Sequence, residues 1–423
     1  MLPGGPHLER GGDGELRLEG HALDALGAQF GTPLYVYSRA AMRAALAPYQ
    51  RALAGRPHLV CYAMKANSSL AVLQTFAAAG CGFDIVSGGE LERALAAGAA
   101  PGRIVFSGVG KTAAEMKRAL EAGVRCFNVE SVGELERLSA LAAGIGRRAP
   151  VSLRVNPDVD AGTHPYISTG LKGNKFGIAH GQALAAYRLA ATLPGIEVTG
   201  IDCHIGSQIT QVEPYLDALD RVLDLVEAVE AAGIALRHID LGGGLGITYT
   251  DETPPRADEF VTRVLQRLDE RGHGGRELLL EPGRSLVGNA GVLLTEVLYL
   301  KPGEAKNFCI VDAAMNDLVR PAMYEAWMAI EPCREREGPA RVWDVVGPVC
   351  ESGDWLGRDR RLAVAPGDRL AVLSAGAYAM AMASNYNTRP RAAELMLDGA
   401  RVHLIRERES VAELFARERL IPD

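Results

Sequence analysis

The sequence predicts an α/β protein in which a single (β/α)8 TIM-type barrel is followed by a mainly β domain. Two observations support this prediction. Short apolar, β-branched runs alternate with stretches of helical period from about residue 36 to residue 284. Beyond Arg284 the long helical stretches become rare, and turn signals such as PGD at 366–368 separate short strand-like runs. We therefore expect a barrel over 37–285 and a β domain over 286–423. The N-terminal segment 1–36 is expected to be part of the β domain.

The alternation comprises eight strand-like runs, the number that closes a barrel. An open doubly wound sheet is the rival arrangement, but eight regular units favour closure. The predicted strands are His58–Met64, Gly82–Val86, Arg103–Phe106, Arg125–Val129, Val151–Val155, Val198–Cys203, Arg237–Leu241 and Glu277–Leu280. The predicted helices are Ala40–Ala54, Ala71–Ala79, Gly89–Ala97, Ala113–Ala122, Val132–Ala143, Gln182–Leu193, Val212–Ala232 and Ala257–Arg271.

The second domain is expected to be a sheet because its apolar runs are short and bounded by turn residues. An N-terminal strand at Glu15–Leu18 is a further candidate for it. The predicted strands are Val292–Leu300, Asn307–Asp312, Arg341–Val346, Leu362–Ala365, Arg369–Leu373 and Val402–Arg406.

Composition excludes several classes of protein. A net charge of -7 across 423 residues argues against nucleic acid as the main partner, and against binding to an anionic membrane surface. The N-terminus has no apolar signal region, and no stretch has the length of a membrane helix. The seven cysteines are scattered, with no Cys/His ligand spacing, so we expect reduced thiols, no metal site and a cytoplasmic location.

Polar residues collect where the predicted barrel strands end, which is the functional face of this fold. They are Lys65, Asp84, Ser107, Glu130, Arg154, Asn156, His204, Gly242–Gly244 and Glu281–Arg284. Each has an ordinary structural explanation: Lys65 could be a strand-end lysine reaching solvent, and His204 a buried core histidine. The run LGGGLG at 241–246 does not match a dinucleotide fingerprint, but its glycines suit a phosphate cup.

Two loops of the β domain are also unusual. GPVCESGD at 347–354 places a thiol and two carboxylates in one loop, and SAGAYAMAMASNYN at 374–387 carries Tyr378, Asn385 and Tyr386 among small residues. Taken singly, either could be turn or packing material.

Taken together, these motifs resemble those of the fold-type III, alanine racemase-like amino acid decarboxylases, which use pyridoxal 5'-phosphate. The resemblance is carried by AMKAN (63–67), HIGSQ (204–208), LGGGLG, EPGRSLVG (281–288), CESGD (350–354) and AYAMAMASNYN, in that order along most of the chain. Within the family, the match is to the branch that converts meso-2,6-diaminopimelate to L-lysine and CO2, the last step of lysine biosynthesis.

The resemblance implies a role for each cofactor-site residue. Lys65 would hold the cofactor as a Schiff base, His204 would stack on its ring, and Glu281 would keep the pyridine nitrogen protonated. Residues expected around the phosphate are Ser207, Gly244, Gly283, Arg284 and Tyr378. Residues expected near the ring substituents are Asp84 and Arg154.

The resemblance also implies how the substrate is held. Arg284, Arg320 and Tyr324, with Tyr378 nearby, would bind the distal carboxylate, since the planar fork of Arg pairs bidentately with such a group. Glu351 would take the remote ammonium and Cys350 would deliver the proton that replaces CO2. In this family the CESGD loop completes the site of the neighbouring subunit, which implies a homodimer. Segment 160–177, after the fifth strand, is expected to act as a mobile lid.

Other activities of the same barrel stay open at this point. A sister decarboxylase could act on arginine, ornithine, carboxynorspermidine or a carrier-bound amino acid, although Arg320 would then lack a distal carboxylate to bind. A racemase is disfavoured by the CESGD loop. A non-catalytic regulator is disfavoured because Lys65 and Cys350 are both present.

Overall fold

The computed structural model describes residue 2, residues 5–159 and residues 174–422. The chain divides into two compact units. The barrel unit comprises Ala45–Ile247 and Thr253–Leu286, and the sheet unit comprises Met1–Ala44, Thr248–Glu252 and Val287–Asp423. No helix within the described ranges is both long enough and apolar enough to cross a membrane.

The N-terminal elements belong largely to the sheet unit. Three short antiparallel strands come first: β1 (Leu8–Arg10), β2 (Leu16–Leu18) and β3 (His21–Ala22). They are followed by α1 (Leu23–Phe30), β4 (Leu34–Ser38) and α2 (Arg39–Leu53). The predicted strand at Glu15–Leu18 is present as β2, in this small sheet of its own.

The barrel unit contains the predicted closed parallel barrel. Its strands in chain order are β5 (His58–Ala63), β6 (Gly82–Ile85), β7 (Ile104–Phe106), β8 (Cys126–Val129), β9 (Ala149–Asn156), β10 (Ile178–Ala179), β11 (Ile196–Asp202), β12 (His238–Asp240) and β13 (Glu277–Leu280). The sheet runs from β9 through β11, β12, β13, β5, β6 and β7 to β8, and β8 pairs again with β9, which closes it. The short β10 pairs with β9 outside this ring. The fold prediction is confirmed.

Helices connect successive barrel strands close to the predicted positions. They are α3 (Leu70–Ala78), α4 (Gly88–Ala96), α5 (Ala113–Ala122), α6 (Val132–Gly144), α7 (His180–Thr192), α8 (Glu213–Ala231) and α9 (Ala257–Glu270). A short helix that was not predicted, α10 (Arg284–Val287), follows the last barrel strand. Three of the connecting helices begin at the same signal, Ser/Thr-x-x-Glu: Ser87, Thr112 and Ser131 each accept the N–H of the glutamate three residues later. The signal fixes the residue at which each helix begins. It therefore also fixes the end of the loop that leads from the preceding strand to that helix.

The barrel interior is apolar below its mouth. A buried cluster joins Leu59, Cys61, Val105, Cys126 and Leu279, which come from strands on different sides of the ring. Because side chains alternate along each strand, this cluster fills the lumen and leaves the strand ends above it for polar groups.

The rest of the sheet unit follows the barrel in the chain. Its strands are β14 (Gly291–Lys301), β15 (Phe308–Val311), β16 (Ile330–Pro332), β17 (Arg341–Val346), β18 (Trp355–Leu362), β19 (Arg369–Val372), β20 (Ala393–Asp398) and β21 (Arg401–Arg406), with α11 (Arg320–Tyr324) and α12 (Val411–Phe415). The main path of the sheet is β18-β17-β15-β14-β4-β20-β21, and β19 joins β14 to β16. Alternate residues such as Leu34, Leu294 and Leu395 form its core.

One predicted strand of the main sheet is wrong and three of its strands were not predicted. The segment predicted as Leu362–Ala365 forms a strand at Trp355–Leu362 instead, and Ala363–Ala365 lie outside it. This strand, WLGRDRRL, pairs with β17 at the sheet edge, and its charged side chains, most of them exposed, hide the strand pattern. The three strands not predicted are β4, β16 and β20. The short strands β1, β3 and β10, outside this sheet, were not predicted either.

Candidate active site

A lysine and an aspartate meet at the mouth of the barrel. Lys65 lies in the single turn Met64–Ala66 that follows β5, and Asp84 lies on the neighbouring strand β6. The Lys65 Nζ is 2.5 Å from Asp84 Oδ2. Asp84 is buried, whereas 39% of the Lys65 side chain is exposed. The amine is thus held by a fixed carboxylate and remains accessible, as a nucleophile must be.

Three carboxylates form a buried cluster beside this pair. Asp202 and Asp240 are the last residues of β11 and β12, and Glu281 directly follows β13. One oxygen of each lies within 4.8 Å of the others. Since such a set could also hold a cation, the expectation that the chain has no metal site stays a prediction.

The cluster binds protons near neutral pH. Burial, and next the charge of Asp240, raise the pKa of Glu281 well above its usual range. Burial also raises the pKa of Asp240 to about 7, although the Gly242 N–H, 2.8 Å from Asp240 Oδ1, acts in the opposite direction. Asp240 and Glu281 each offer a buried oxygen within 4.8 Å of the other. Two like charges this close and buried disfavour each other, so ionisation of one acid favours the protonated form of the other.

Arg154 and His204 complete the mouth. Arg154 Nη1 donates to Glu130 Oε1 at 2.9 Å, and its guanidinium lies 5.0 Å from the centre of the Phe176 ring. Burial, and next the charges of Arg154 and Lys65, lower the pKa of His204 well below its usual range. The imidazole is therefore neutral. Its Nδ1 lies 3.2 Å from the Gly243 nitrogen, whose N–H it accepts, so the ring proton is on Nε2.

The glycine loop after β12 requires glycine for steric reasons. Gly242 and Gly244 have φ of 65° and 107°. A Cβ on Gly243 would lie 2.1 Å from the Glu281 carbonyl oxygen, and one on Gly244 would lie 2.3 Å from that of Gly206. The loop can therefore pass close to its neighbours only without side chains. The N–H groups of Gly242 and Gly243 donate to Asp240 and His204, so among these three glycines the N–H of Gly244 is the one left for an anion.

Ser207, Gly283 and Arg284 lie around this loop. Arg284 Nη2 donates to Ser207 Oγ at 3.0 Å, and the Ile209 N–H donates to the Gly244 carbonyl at 2.9 Å, which ties the serine loop to the glycine loop. A Cβ on Gly283 would lie 3.1 Å from Ala66 Cβ, so the chain after β13 packs tightly on the Lys65 turn. A hydroxyl, a guanidinium and the Gly244 N–H thus form a site suited to a phosphate.

The structure therefore gathers one set of predicted residues within the barrel unit. It comprises Lys65, Asp84, Arg154, His204, Ser207, Gly244, Glu281, Gly283 and Arg284. The other five predicted residues, Arg320, Tyr324, Cys350, Glu351 and Tyr378, belong to the sheet unit.

Within the sheet unit, Arg320 is buried at the start of α11. Its guanidinium lies 5.6 Å from the ring centre of Tyr249 and 5.6 Å from that of Tyr324. Two aromatic rings restrict the orientation of the planar group, which prepares it for bidentate binding of a carboxylate. Tyr378 is half-buried and has a φ of 54°.

Cys350 and Glu351 lie in the loop between β17 and β18 and are both exposed. Asp354 organises this loop: its Oδ2 accepts the N–H of Val349 and its Oδ1 that of Met315, both at 2.7 Å. Asn387 Oδ1 accepts the Cys350 N–H at 3.0 Å. The loop is thus held in place by Asp354 and Asn387, while Cys350 and Glu351 remain exposed.

Sequence reasoning missed Asp202, Asp240 and Asn387. The first two carry a readable signal, since each is an acid that directly ends an apolar strand run, in TGID and RHID. Asn387 carries none, because its contact with Cys350 depends on a φ of 56°. Residues 160–173, the larger part of the expected lid 160–177, lie outside the described residues.

Comparison with known proteins agrees with this geometry. The pyridoxal-dependent decarboxylase family, by its pyridoxal binding domain, matches residues 39–288. Diaminopimelate decarboxylase of Pseudomonas aeruginosa is 61% identical over 97% of this chain and 98% of its own.

Solved structures are similar as well. Diaminopimelate decarboxylase from Helicobacter pylori, complexed with L-lysine, is 42% identical with a TM-score of 0.89 over 93% of this chain and 98% of its own. Diaminopimelate decarboxylase from M. jannaschii, in complex with L-lysine, is 39% identical with a TM-score of 0.94. The match covers 100% of this chain and 99% of that one. The resemblance predicted from the motifs is confirmed: this chain belongs to the family of pyridoxal-dependent decarboxylases.

Proposed function

We propose that this chain removes CO2 from meso-2,6-diaminopimelate and yields L-lysine, as the last step of lysine biosynthesis. One observation above all carries the proposal. The barrel mouth joins an accessible amine, Lys65, to a buried acid that keeps a proton, Glu281. The substrate is assigned from the relatives named diaminopimelate decarboxylase, of which the one from Pseudomonas aeruginosa is 61% identical over 97% of this chain.

The mouth fits pyridoxal 5'-phosphate, the cofactor of the family. An amine can hold the aldehyde end, the proton-bearing Glu281 can face the ring nitrogen, and the glycine loop with Ser207 and Arg284 can hold the phosphate. When bound, this cofactor supplies an electron-withdrawing ring that stabilises the negative charge left on the α carbon as CO2 departs.

The chain's own residues then have separate tasks. Asp84 holds the Lys65 amine at the mouth, and the neutral His204 ring offers a flat face that adds no positive charge. Glu281 keeps a proton at its carboxyl oxygen for the ring nitrogen, because its burial disfavours the ionised form. Arg154 is proposed to lie near the ring substituents.

For the substrate, we propose that Arg284, Arg320 and Tyr324 bind the distal carboxylate. Tyr378 is proposed as a further ligand of phosphate and substrate. Glu351 would pair with the remote ammonium, and Cys350 would give its thiol proton to the carbon that has lost CO2. The stacked guanidinium of Arg320 supports the carboxylate assignment, since its orientation is restricted before any ligand binds.

We further propose a homodimer in which the Cys350 loop completes the neighbouring subunit's site. The exposure of both Cys350 and Glu351, on a loop that Asp354 and Asn387 hold in place, supports this assignment. A cytoplasmic location is proposed as well, because all seven cysteines are free thiols and six of them are buried.

The decisive experiment measures lysine formation from meso-diaminopimelate by the purified, cofactor-loaded chain, beside ornithine and arginine. We expect lysine from the first substrate alone, and none after Lys65→Ala. Cys350→Ala should lower kcat by roughly 10²-fold or more, the usual contribution of a general acid, without a shift in the melting temperature. CO2 release from ornithine or arginine, but not from diaminopimelate, would contradict the substrate assignment.

A further inference from the structure

Glu130 is a buried carboxylate at the barrel mouth to which the proposed function gives no task. It follows β8 directly and is 5% exposed. Its Oε1 accepts from Arg154 Nη1 at 2.9 Å and from the Gly108 N–H at 3.0 Å, while its Oε2 accepts from the Gly177 N–H at 2.9 Å. One side chain therefore joins the loop after β7, strand β9 and the residue that precedes β10.

The backbone of Glu130 is fixed from the opposite side. Its N–H donates to Glu134 Oε2 at 2.9 Å, and Glu134 Oε1 accepts from the buried Lys111 Nζ at 2.7 Å. Lys111 in turn donates to the carbonyls of Gly108 and Asn128, both at 2.7 Å. The carboxylate of Glu130 is consequently held at a fixed point before Arg154 contacts it.

Arg154 depends on this carboxylate for its charge balance. Burial would lower the pKa of Arg154, but nearby carboxylates, Glu130 first among them, outweigh that effect and raise it. The second carboxylate, Asp202, is farther away, at 3.9 Å from Arg154 Nε, compared with 2.9 Å for Glu130. A charge-assisted hydrogen bond at the shorter distance sets both the position and the hydration of the guanidinium.

We propose that Glu130 is a positioning residue, which holds Arg154 at the cofactor site by joining its guanidinium to Gly108 and Gly177. The inference rests on the proposed location of Arg154 beside the ring substituents. Glu130 acts only through Arg154, so its removal matters for cofactor binding to the extent that Arg154 does. A purely structural carboxylate would lower stability without that coupling.

The test measures the dissociation constant of pyridoxal phosphate for the full-length, cofactor-free chain by absorbance titration. Glu130→Gln keeps the shape and removes the charge. We expect the dissociation constant to rise roughly tenfold, the size expected for a lost charged hydrogen bond. The absorption maximum of the bound cofactor should also shift. Glu394→Gln is the matched control, since that carboxylate is also buried and also pairs with an arginine, Arg406, but belongs to the sheet unit rather than to the barrel mouth. It should lower the melting temperature while changing cofactor affinity less than twofold.

A double-mutant cycle with Arg154→Ala completes the test. If Glu130 acts through Arg154, Glu130→Gln will have less than a twofold effect in the Arg154→Ala background. Equal effects in both backgrounds would overturn the inference. Should Glu130→Gln not fold, Glu130→Asp decides: its shorter carboxylate cannot reach all three donors, so unchanged affinity and spectrum would overturn it as well. A chain in which Arg154→Ala itself leaves affinity and spectrum unchanged would refute the proposed role of Arg154 instead.

Discussion

The two ends of the barrel strands handle charge in opposite ways. On β12, His238 and Asp240 are two residues apart and both buried, yet burial lowers the pKa of His238 to about 3 and raises that of Asp240 to about 7. On β13, Glu277 at the amino end pairs with Arg125, whereas Glu281 just beyond the carboxyl end joins an acid cluster. The difference teaches that, on these two strands, it is the carboxyl end that gathers buried acids whose pKa is raised toward or above neutral pH.

Exchanging the glutamate at the carboxyl end of β13 should have the largest effect. Glu281→Gln cannot keep a carboxyl proton for the ring nitrogen, so we expect kcat to fall by roughly 10²- to 10⁴-fold. Steady-state decarboxylation measures this loss, and retention of the bound cofactor shows that the site is intact. A variant with more than a third of the original kcat would remove the functional contrast between the two ends.

The next effect concerns His238 and the dependence of stability on pH. Unfolded histidine takes up a proton near pH 6.5, whereas folded His238 does so only near pH 3. Its contribution is therefore complete above pH 6.5 and is lost as the pH falls. In His238→Gln, the free energy of unfolding should decline less steeply between pH 6 and 4, by up to about 1.4 kcal/mol per pH unit. Urea titrations at several pH values measure this free energy. If His238 were protonated in the folded chain, the free energy of unfolding would fall with pH equally steeply in the variant and in the original chain.

Asp240→Asn should change the same measurement in the opposite direction. The folded chain keeps the Asp240 proton up to about pH 7, whereas the unfolded carboxyl loses it near 3.8. Stability is thus lost as the pH rises from about 4 to 7, and the asparagine variant should lose less over that range. Identical pH profiles for the variant and the original chain would show that Asp240 is ionised throughout.

The smallest effect is expected for Glu277→Gln, on the same strand as the Glu281 site. It removes only a partly exposed ion pair with Arg125, so the free energy of unfolding should change by less than about 1 kcal/mol. Its kcat should match that of the original chain. A loss of kcat comparable with that of Glu281→Gln would mean that the amino end also serves the reaction.

How much of this could be read from the sequence differs between the two units. The barrel strands and helices are local patterns with clear caps, and one rule about strand ends was enough to predict Lys65, His204 and Glu281 at a common mouth. The acid cluster of Asp202, Asp240 and Glu281 was not predicted, because the proximity and burial of its carboxylates depend on the closure of the barrel rather than on sequence spacing.

The sheet unit was harder to predict for a physical reason. LYVYS at 34–38 is buried on both faces, so it lacks the alternation that marks a half-buried strand. Its partners β14 and β20 are remote in sequence, and no local signal shows that they meet. Charged residues on β18 obscured the edge strand in a comparable way.

The central position of β4 has a consequence for synthesis on the ribosome. This strand is translated long before its parallel partner Ala393–Asp398. At roughly 5–20 residues per second, β4 waits tens of seconds with both its buried faces unprotected, while all the residues of the barrel are completed in between. The main sheet can therefore be completed only after Ala393–Asp398 has been translated, and a chain stalled before residue 393 leaves one edge of β4 open to pairing with another chain.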